Sequence, residues 1–536
     1  MEGTNEELRY GSSRFAEEWE LKRAGLFKRQ GPQIGYVGNN PIFMEGDAPL
    51  ITIGGAGSGK LRDLLGYVVC NSPNQNMVVL DPRGELCAIS HHVHAANNDY
   101  AYSWNPFGLH GLPQHSCNPL DILDINAPNF HALCKFVVEG LVAVSGSASG
   151  KYFELRARDY IEKIIKSIVE LRGEVTLPIL MQVLQMVEGD PELWIPHIEA
   201  MTMSRFDDVR RVAAEMLAKQ EDSPKEFGAI MGEVYACMSF LEDPVLCQSL
   251  EKSDFSLKEL CDKGHGTKIF LNIPAEYLNL WSPLVRLFFT VSMLYKAADP
   301  TANRVMLLVD EAGQLGRFDA LLRAFTFGRG AGIRAWAIFQ DIGQIIRNFD
   351  MATVSGFLGS AQMRQFFGVR DHQTAQIISD MLGTETLTYD NVKLQAELKH
   401  KKSKAAQNIL NGGDPFADIM NIAREASAAD VKLKQSRKLM TPSEILSLPE
   451  DQQLIFISGK DIPPILANKY PYYQHSEMAG QFLPNPYHPP IDHVQVPKRF
   501  GSKTAKIIRE PVPRKYASFP QYRNGSWAYV EGYKPT

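Results

Sequence analysis

The stretch that most restricts this chain is Leu50-Ile-Thr-Ile-Gly54-Gly-Ala-Gly-Ser-Gly59-Lys60-Leu61. A short apolar run enters a glycine-rich loop, and the residues from Arg62 to Val69 can form a helix. This is the strand–loop–helix setting of a phosphate-binding loop. Glycines let the backbone curl until several N–H groups face one anion. The helix that follows adds its positive N-terminal end. The candidate phosphate contacts are therefore Gly55, Ala56, Gly57, Ser58, Gly59, Lys60 and Leu61, with Lys60 reaching the β- and γ-phosphates as a point charge. The spacing Gly54-x4-Gly59-Lys60 fits, but Leu61 stands where Ser or Thr would ligate Mg²⁺. The plain alternative is a glycine-rich turn that binds nothing, so the loop needs a partner elsewhere in the chain.

That partner is Arg304-Val-Met-Leu-Leu-Val309-Asp310-Glu311, an apolar run ending in two adjacent acids. Asp310 suits the Mg²⁺ shell, and Glu311 suits the orientation and deprotonation of an attacking water. An apolar run before Asp-Glu is common on its own. It gains weight from the glycine loop about 250 residues earlier. A third strand, Ile333 to Phe339, ends at Gln340, placed to sense a γ-phosphate or position water. Arg329 either stabilises transition-state charge across a subunit interface or is a helix C-terminal cation. Asp81 and Glu85 follow another buried run, near the crevice where α/β sheets bind ligands. The alternative for these two is a turn-and-cap role only.

A chain of 536 residues calls for two or three domains. Residues 1–47 read as a packed N-terminal arm with a short helix over 17–27. Residues 48–130 and 263–475 read as a nucleotide-binding domain of α/β class. Residues 131–262 read as an all-α insertion, with apolar positions at helical spacing over 153–171, 177–187 and 227–238. Within the nucleotide-binding domain, 384–439 is a polar basic loop. Its cluster Lys399, His400, Lys401, Lys402 and Lys404 is either solvated or a phosphate contact. Residues 476–536 read as an extended tail rich in Pro, Tyr and basic side chains. Such a tail stacks on single-stranded bases, packs on a neighbour or docks a partner. The net charge of −5 means that any nucleic-acid surface is local. Seven scattered cysteines with no CxxC pair fit reduced thiols better than disulfides or zinc. No apolar run is long enough for a membrane span, and the polar N-terminus has no signal-peptide core, so a soluble chain is expected.

Taken in order, several motifs resemble one family. They are the glycine loop, Leu80-Asp-Pro-Arg-Gly-Glu-Leu86, the turns Asn105-Pro-Phe and Asn118-Pro-Leu-Asp, Val309-Asp-Glu-Ala-Gly-Gln-Leu-Gly316, Gly332–Gln340, Phe367-Gly-Val-Arg-Asp371 and Leu439–Pro449. Over roughly residues 10–475 the chain resembles the type IV secretion coupling proteins, the TraG/TraD-like conjugative DNA-transfer ATPases. The resemblance implies a RecA-like P-loop domain interrupted by an all-α domain, ATP and Mg²⁺ as ligands, and a homo-hexameric ring. It implies DNA with a relaxase and the secretion channel as partners, at the cytoplasmic face of the bacterial inner membrane. It places the phosphates on Lys60, magnesium on Asp310, the catalytic base on Glu311, the γ-phosphate side on Gln340 and an interface finger on Arg329. The chain departs from the family at Leu61, and it lacks the usual N-terminal pair of membrane helices. A natural soluble form and a missing anchor both fit that departure. The rival function is a substrate-recruitment adaptor with weak or no hydrolysis; a DNA pump outside secretion is a third.

Overall fold

The computed structural model describes residues 11–144, 150–389 and 433–535, with 399, 400, 403, 404 and 407 between them. Its frame is one sheet of eleven strands. In chain order these are β1 (Gln33–Val37), β2 (Asn40–Phe43), β3 (Leu50–Gly54), β4 (Asn76–Pro82), β5 (Tyr100–Trp104), β6 (Thr267–Ile273), β7 (Val305–Val309), β8 (Ile333–Phe339) and β9 (Met363–Phe367). After them come β10 (Thr384–Tyr389) and β11 (Leu433–Lys438), which stand apart, and then β12 (Gln452–Ile457) and β13 (Ile465–Asn468). Across the sheet the order is β2-β1-β13-β12-β9-β3-β8-β7-β4-β6-β5. From β9 to β5 every pairing is parallel; from β9 outward to β2 every pairing is antiparallel.

The parallel strands are buried on both faces, as continuous apolar runs such as Val305–Val309 require. One face packs on a core that includes Ile51, Ile53, Val78 and Leu307 and continues into the helices. The other packs Leu50, Val79, Met306 and Leu308 against the helix that follows the glycine loop. Alternate residues of one strand thus serve two cores. Among the described residues, every regular element between Phe130 and Cys261 is helical, from Phe130–Leu141 and Lys151–Arg172 to Pro244–Glu251 and the 3₁₀ turn at Leu257–Cys261. Beyond the three periodic stretches seen in the sequence, the described residues hold four further α-helices, Phe130–Leu141, Pro191–Thr202, Asp207–Asp222 and Pro244–Glu251.

Register across the parallel–antiparallel junction is held by a buried polar chain. The Trp336 indole donates to Thr52 Oγ1 (2.9 Å), and Thr52 donates to Gln365 Oε1 (2.8 Å). Gln365 donates to Gln453 Oε1 (2.6 Å) and to the Ile34 carbonyl (3.0 Å). A satisfied network of this kind favours one register, because a slip leaves buried polar groups unpaired.

Three segments differ from the sequence reading. The N-terminal arm is part of the sheet, through β1 and β2. The ends of the polar loop pair as β10 and β11, residue for residue from Thr384–Lys438 to Tyr389–Leu433. In the loop itself Lys399, His400 and Lys404 are exposed, whereas Lys401 and Lys402 lie outside the described residues. The C-terminal segment is not an extended tail. It folds as a three-stranded antiparallel sheet of β14 (His493–Pro497), β15 (Ser502–Pro511) and β16 (Ser526–Val530). Tyr516, Tyr522, Trp527 and Tyr529 bury against one another and against Ala95, so these rings are core rather than base-stacking surface. Pro and Lys mask the alternation in these strands.

Candidate functional site: a phosphate loop facing a carboxylate pair

The site lies at the carboxyl ends of the parallel strands, where the order places β3 between β8 and β9. This is where chain connections diverge and open a crevice in α/β sheets. The loop 55–60 leaves β3 here. Gly57 and Gly59 take left-handed φ angles of +70° and +84°. A side chain at Gly59 would come within 2.3 Å of Asp63 Oδ2, and one at Gly55 within 2.1 Å of the Gly368 carbonyl. The loop is therefore pressed between its own helix and the end of β9, with no room for a Cβ at Gly55 or Gly59. The helix opens with a π turn, Leu61–Leu65, and continues as an α-helix, Gly66–Cys70.

The residues singled out at the two ends of this chain segment meet. Lys60 Nζ lies 2.8 Å from Glu311 Oε1, and both side chains are largely buried. Gln340 Nε2 donates to the other oxygen, Glu311 Oε2, at 2.8 Å. The Glu311 N–H donates to Asp310 Oδ1 at 2.9 Å. Glu311 itself sits at φ +52°, a left-handed conformation rare for a residue with a side chain. That backbone turn swings its carboxylate from the end of β7 toward the loop. Burial pushes the Asp310 carboxyl up to about 6, the Glu311 charge adds to the shift, and the Lys60 ammonium opposes it.

Arg329 is not brought in. It is exposed in the 3₁₀ turn Gly328–Ala331, before β8, whereas Gln340 follows that strand. A strand of this length separates the two by about 20 Å. Asp81 and Glu85 take the turn-and-cap alternative. Asp81 accepts from the N–H groups of Leu86 (3.2 Å) and Cys87 (2.8 Å), and Glu85 accepts from Asn485 Nδ2 (2.6 Å).

Asp81 has a consequence for stability. Burial pushes its carboxyl up to about 8, against two backbone donors that pull it down. A folded-state value above the unfolded one means that the contribution is full below the unfolded value, near 4, and is lost as pH rises through 8. Urea midpoints should therefore fall between pH 5 and pH 8.5 in the wild type. They should fall less in Asp81→Asn, whose amide carbonyl still accepts; equal slopes would refute this.

Three positioning groups escaped the sequence. Lys469, just past β13, donates to the Ser58 carbonyl (2.8 Å) and to Asp63 Oδ2 (2.7 Å) and is almost wholly buried. Gln344 accepts from the Gln340 N–H (2.9 Å) and leaves no space for a side chain at Gly313. Arg370, three residues past the end of β9, reaches the loop: a Cβ on Gly57 would stand 4.0 Å from its guanidinium. None of them has a local spacing signal; only Arg370 falls inside a quoted motif.

A glycine cradle with one lysine, faced by an Asp-Glu pair and a glutamine from neighbouring strand ends, on a parallel sheet with a helical layer, defines a RecA-like P-loop fold. The chain belongs to the family of type IV secretory system conjugative DNA transfer proteins, whose sequence pattern matches residues 14–411 and 420–498. It is 22% identical over 492 residues to the protein VirD4 of Rhizobium radiobacter, covering 88% of this chain and 65% of that one. It is 22% identical over 484 residues to the conjugal transfer protein TraG of Escherichia coli, covering 82% and 71%. The chain thus spans about two thirds of the length of the relative from Rhizobium radiobacter. The fold is that of the plasmid coupling protein TrwB, solved in complex with ADP and Mg²⁺, at TM-score 0.57 and 16% identity over 85% of this chain and 93% of that one. Among the described residues no helix is long and apolar enough to cross a membrane.

Proposed function

We propose that the protein is an ATP-hydrolysing coupling protein of a conjugative type IV secretion system. It would recruit a relaxase–DNA complex or protein effectors to the secretion channel and help to drive transfer. The observation that carries this is the Lys60–Glu311–Gln340 contact, built from three separate strand ends. Family membership supplies the setting, and TrwB in complex with ADP and Mg²⁺ supports a nucleotide ligand.

The residues fit a nucleoside triphosphate with Mg²⁺. The left-handed turns at Gly57 and Gly59, φ +70° and +84°, give the loop the curl that aims successive N–H groups at one anion. Lys60 and the loop N–H groups would hold phosphates, and Asp310 would hold the metal shell. Mg²⁺, when bound, neutralises developing phosphate charge. A triphosphate on the loop competes with Glu311 for the Lys60 ammonium. Release of that ion pair leaves the Glu311 carboxylate free to take a proton from water, still oriented by Gln340. Arg329, exposed and remote from its own site, would act in a neighbouring subunit of a ring. DNA handling, a hexameric assembly and docking at the inner membrane belong to the same proposal.

The adaptor reading keeps one observation of its own. The Leu61 side chain packs into apolar clusters, so no hydroxyl stands beside Lys60 to ligate a metal. An ATPase assay with and without single- and double-stranded DNA, paired with a mass measurement in each condition, separates the two. DNA-stimulated hydrolysis by an oligomer is expected. Nucleotide binding without turnover in every condition would favour the adaptor.

A further inference from the structure

The helix that follows the phosphate loop borders a cavity that the phosphate chemistry does not use. Its volume is about 490 Å³, within the range of about 300–1,000 Å³ typical of small-molecule sites. Leu61 and Arg62, the two residues directly after Lys60, line one side. The opposite side comes from Tyr473, past β13, and from the C-terminal module (residues 476–535), chiefly His488, Val494 and Gln495. The walls are largely aromatic and aliphatic, with His488 and Gln495 as exposed polar groups at the edge.

We infer that this cavity holds the ribose and base of a nucleoside triphosphate, so that the C-terminal module closes the nucleotide site of its own chain. The inference rests on the phosphate-loop reading above and adds to it where the nucleoside goes. Three observations converge. The cavity begins at the residue next to Lys60, so a nucleotide anchored by its phosphates has it as the adjoining enclosed space. An apolar, aromatic wall with few polar groups is what a flat heteroaromatic base requires. Leu61 packs at once against the sheet core and against the cluster of Tyr67, Tyr472, Phe482 and Val494 under the C-terminal module. The residue that departs from the phosphate-loop pattern is therefore committed to the wall of this cavity. The segment entering the module is tied to the loop side as well: Tyr472 lies so close to Gly66 that a Cβ there would meet its ring at 2.6 Å.

The test compares Mg-ATP with Mg-tripolyphosphate, which carries the phosphates and no nucleoside, by calorimetric titration of the full chain. Two substitutions sit at exposed positions: Gln495→Trp fills the cavity, and Tyr473→Ala removes an aromatic wall. Wild type should bind ATP at least tenfold more tightly than tripolyphosphate. Both variants should lose tenfold or more in ATP affinity while tripolyphosphate binding stays within twofold, with thermal midpoints confirming the fold. Tyr473→Ala alone decides the matter if the tryptophan variant does not fold. Unchanged ATP affinity in the variants, or equal wild-type affinity for the two ligands, overturns the inference and leaves the phosphate loop standing. Binding of neither ligand by wild type overturns the phosphate-loop reading, and the inference with it.

Discussion

Glu311→Gln should retain nucleotide binding and lose ATP hydrolysis by about 10²–10⁴-fold, the usual worth of a positioned general base. The amide keeps the size of the side chain and one oxygen that can accept from Gln340 Nε2 or Lys60 Nζ. It cannot take a proton from water. It also removes the negative charge that holds Lys60 in the resting site, so ATP affinity should rise or stay level. Lys60→Ala is the counterpart: binding itself should fail, because the phosphates lose their only ammonium in the loop. Measuring binding and turnover separately on both variants distinguishes these roles. Hydrolysis at the wild-type rate in Glu311→Gln would remove the carboxylate from the chemistry.

Lys469→Met should destabilise the fold by about 3–5 kcal/mol, the cost of stripping one partner from a buried ion pair. Lys469 and Asp63 are 3% and 2% exposed, and their 2.7 Å contact has almost no water to replace it. Arg62 also reaches Asp63, at 2.6 Å, but from a side chain that is about half exposed. The same lysine holds the Ser58 carbonyl, so the loss is not only global. The loop should loosen, and ATP affinity should fall even where the variant is still folded. Chemical denaturation and nucleotide titration at low temperature read the two effects apart. A variant with wild-type affinity would show that the loop keeps its shape without Lys469.

The strand–loop–helix and the Asp-Glu strand were legible because each is a local pattern with a short-range cause. Glycines mark where the backbone must turn without Cβ atoms, and apolar runs mark strands buried on both faces. Gln340 was legible for the same reason: it ends such a run. Lys469 and Gln344 were not. Lys469 acts through contacts with residues far away in the chain, and Gln344, though it bonds to nearby Gln340, also fills the space over Gly313 in a separate segment; nothing in the neighbouring residues announces either. The C-terminal module was hidden differently. Its strands carry Pro, Lys and Tyr, residues equally at home in a solvated tail, and only their mutual burial separates the two.

The amino-acid sequence by itself determined the phosphate loop, the acid pair, the parallel strands and the helical layer, since spacing and hydrophobic period encode local geometry directly. Tertiary structure alone decided that Glu311 turns at positive φ to meet Lys60, that Arg329 stays away from its own site, and that the C-terminal residues fold back beside the loop. Those outcomes depend on packing between distant segments, whose energies are set by what each side chain finds opposite it and not by its neighbours in the chain.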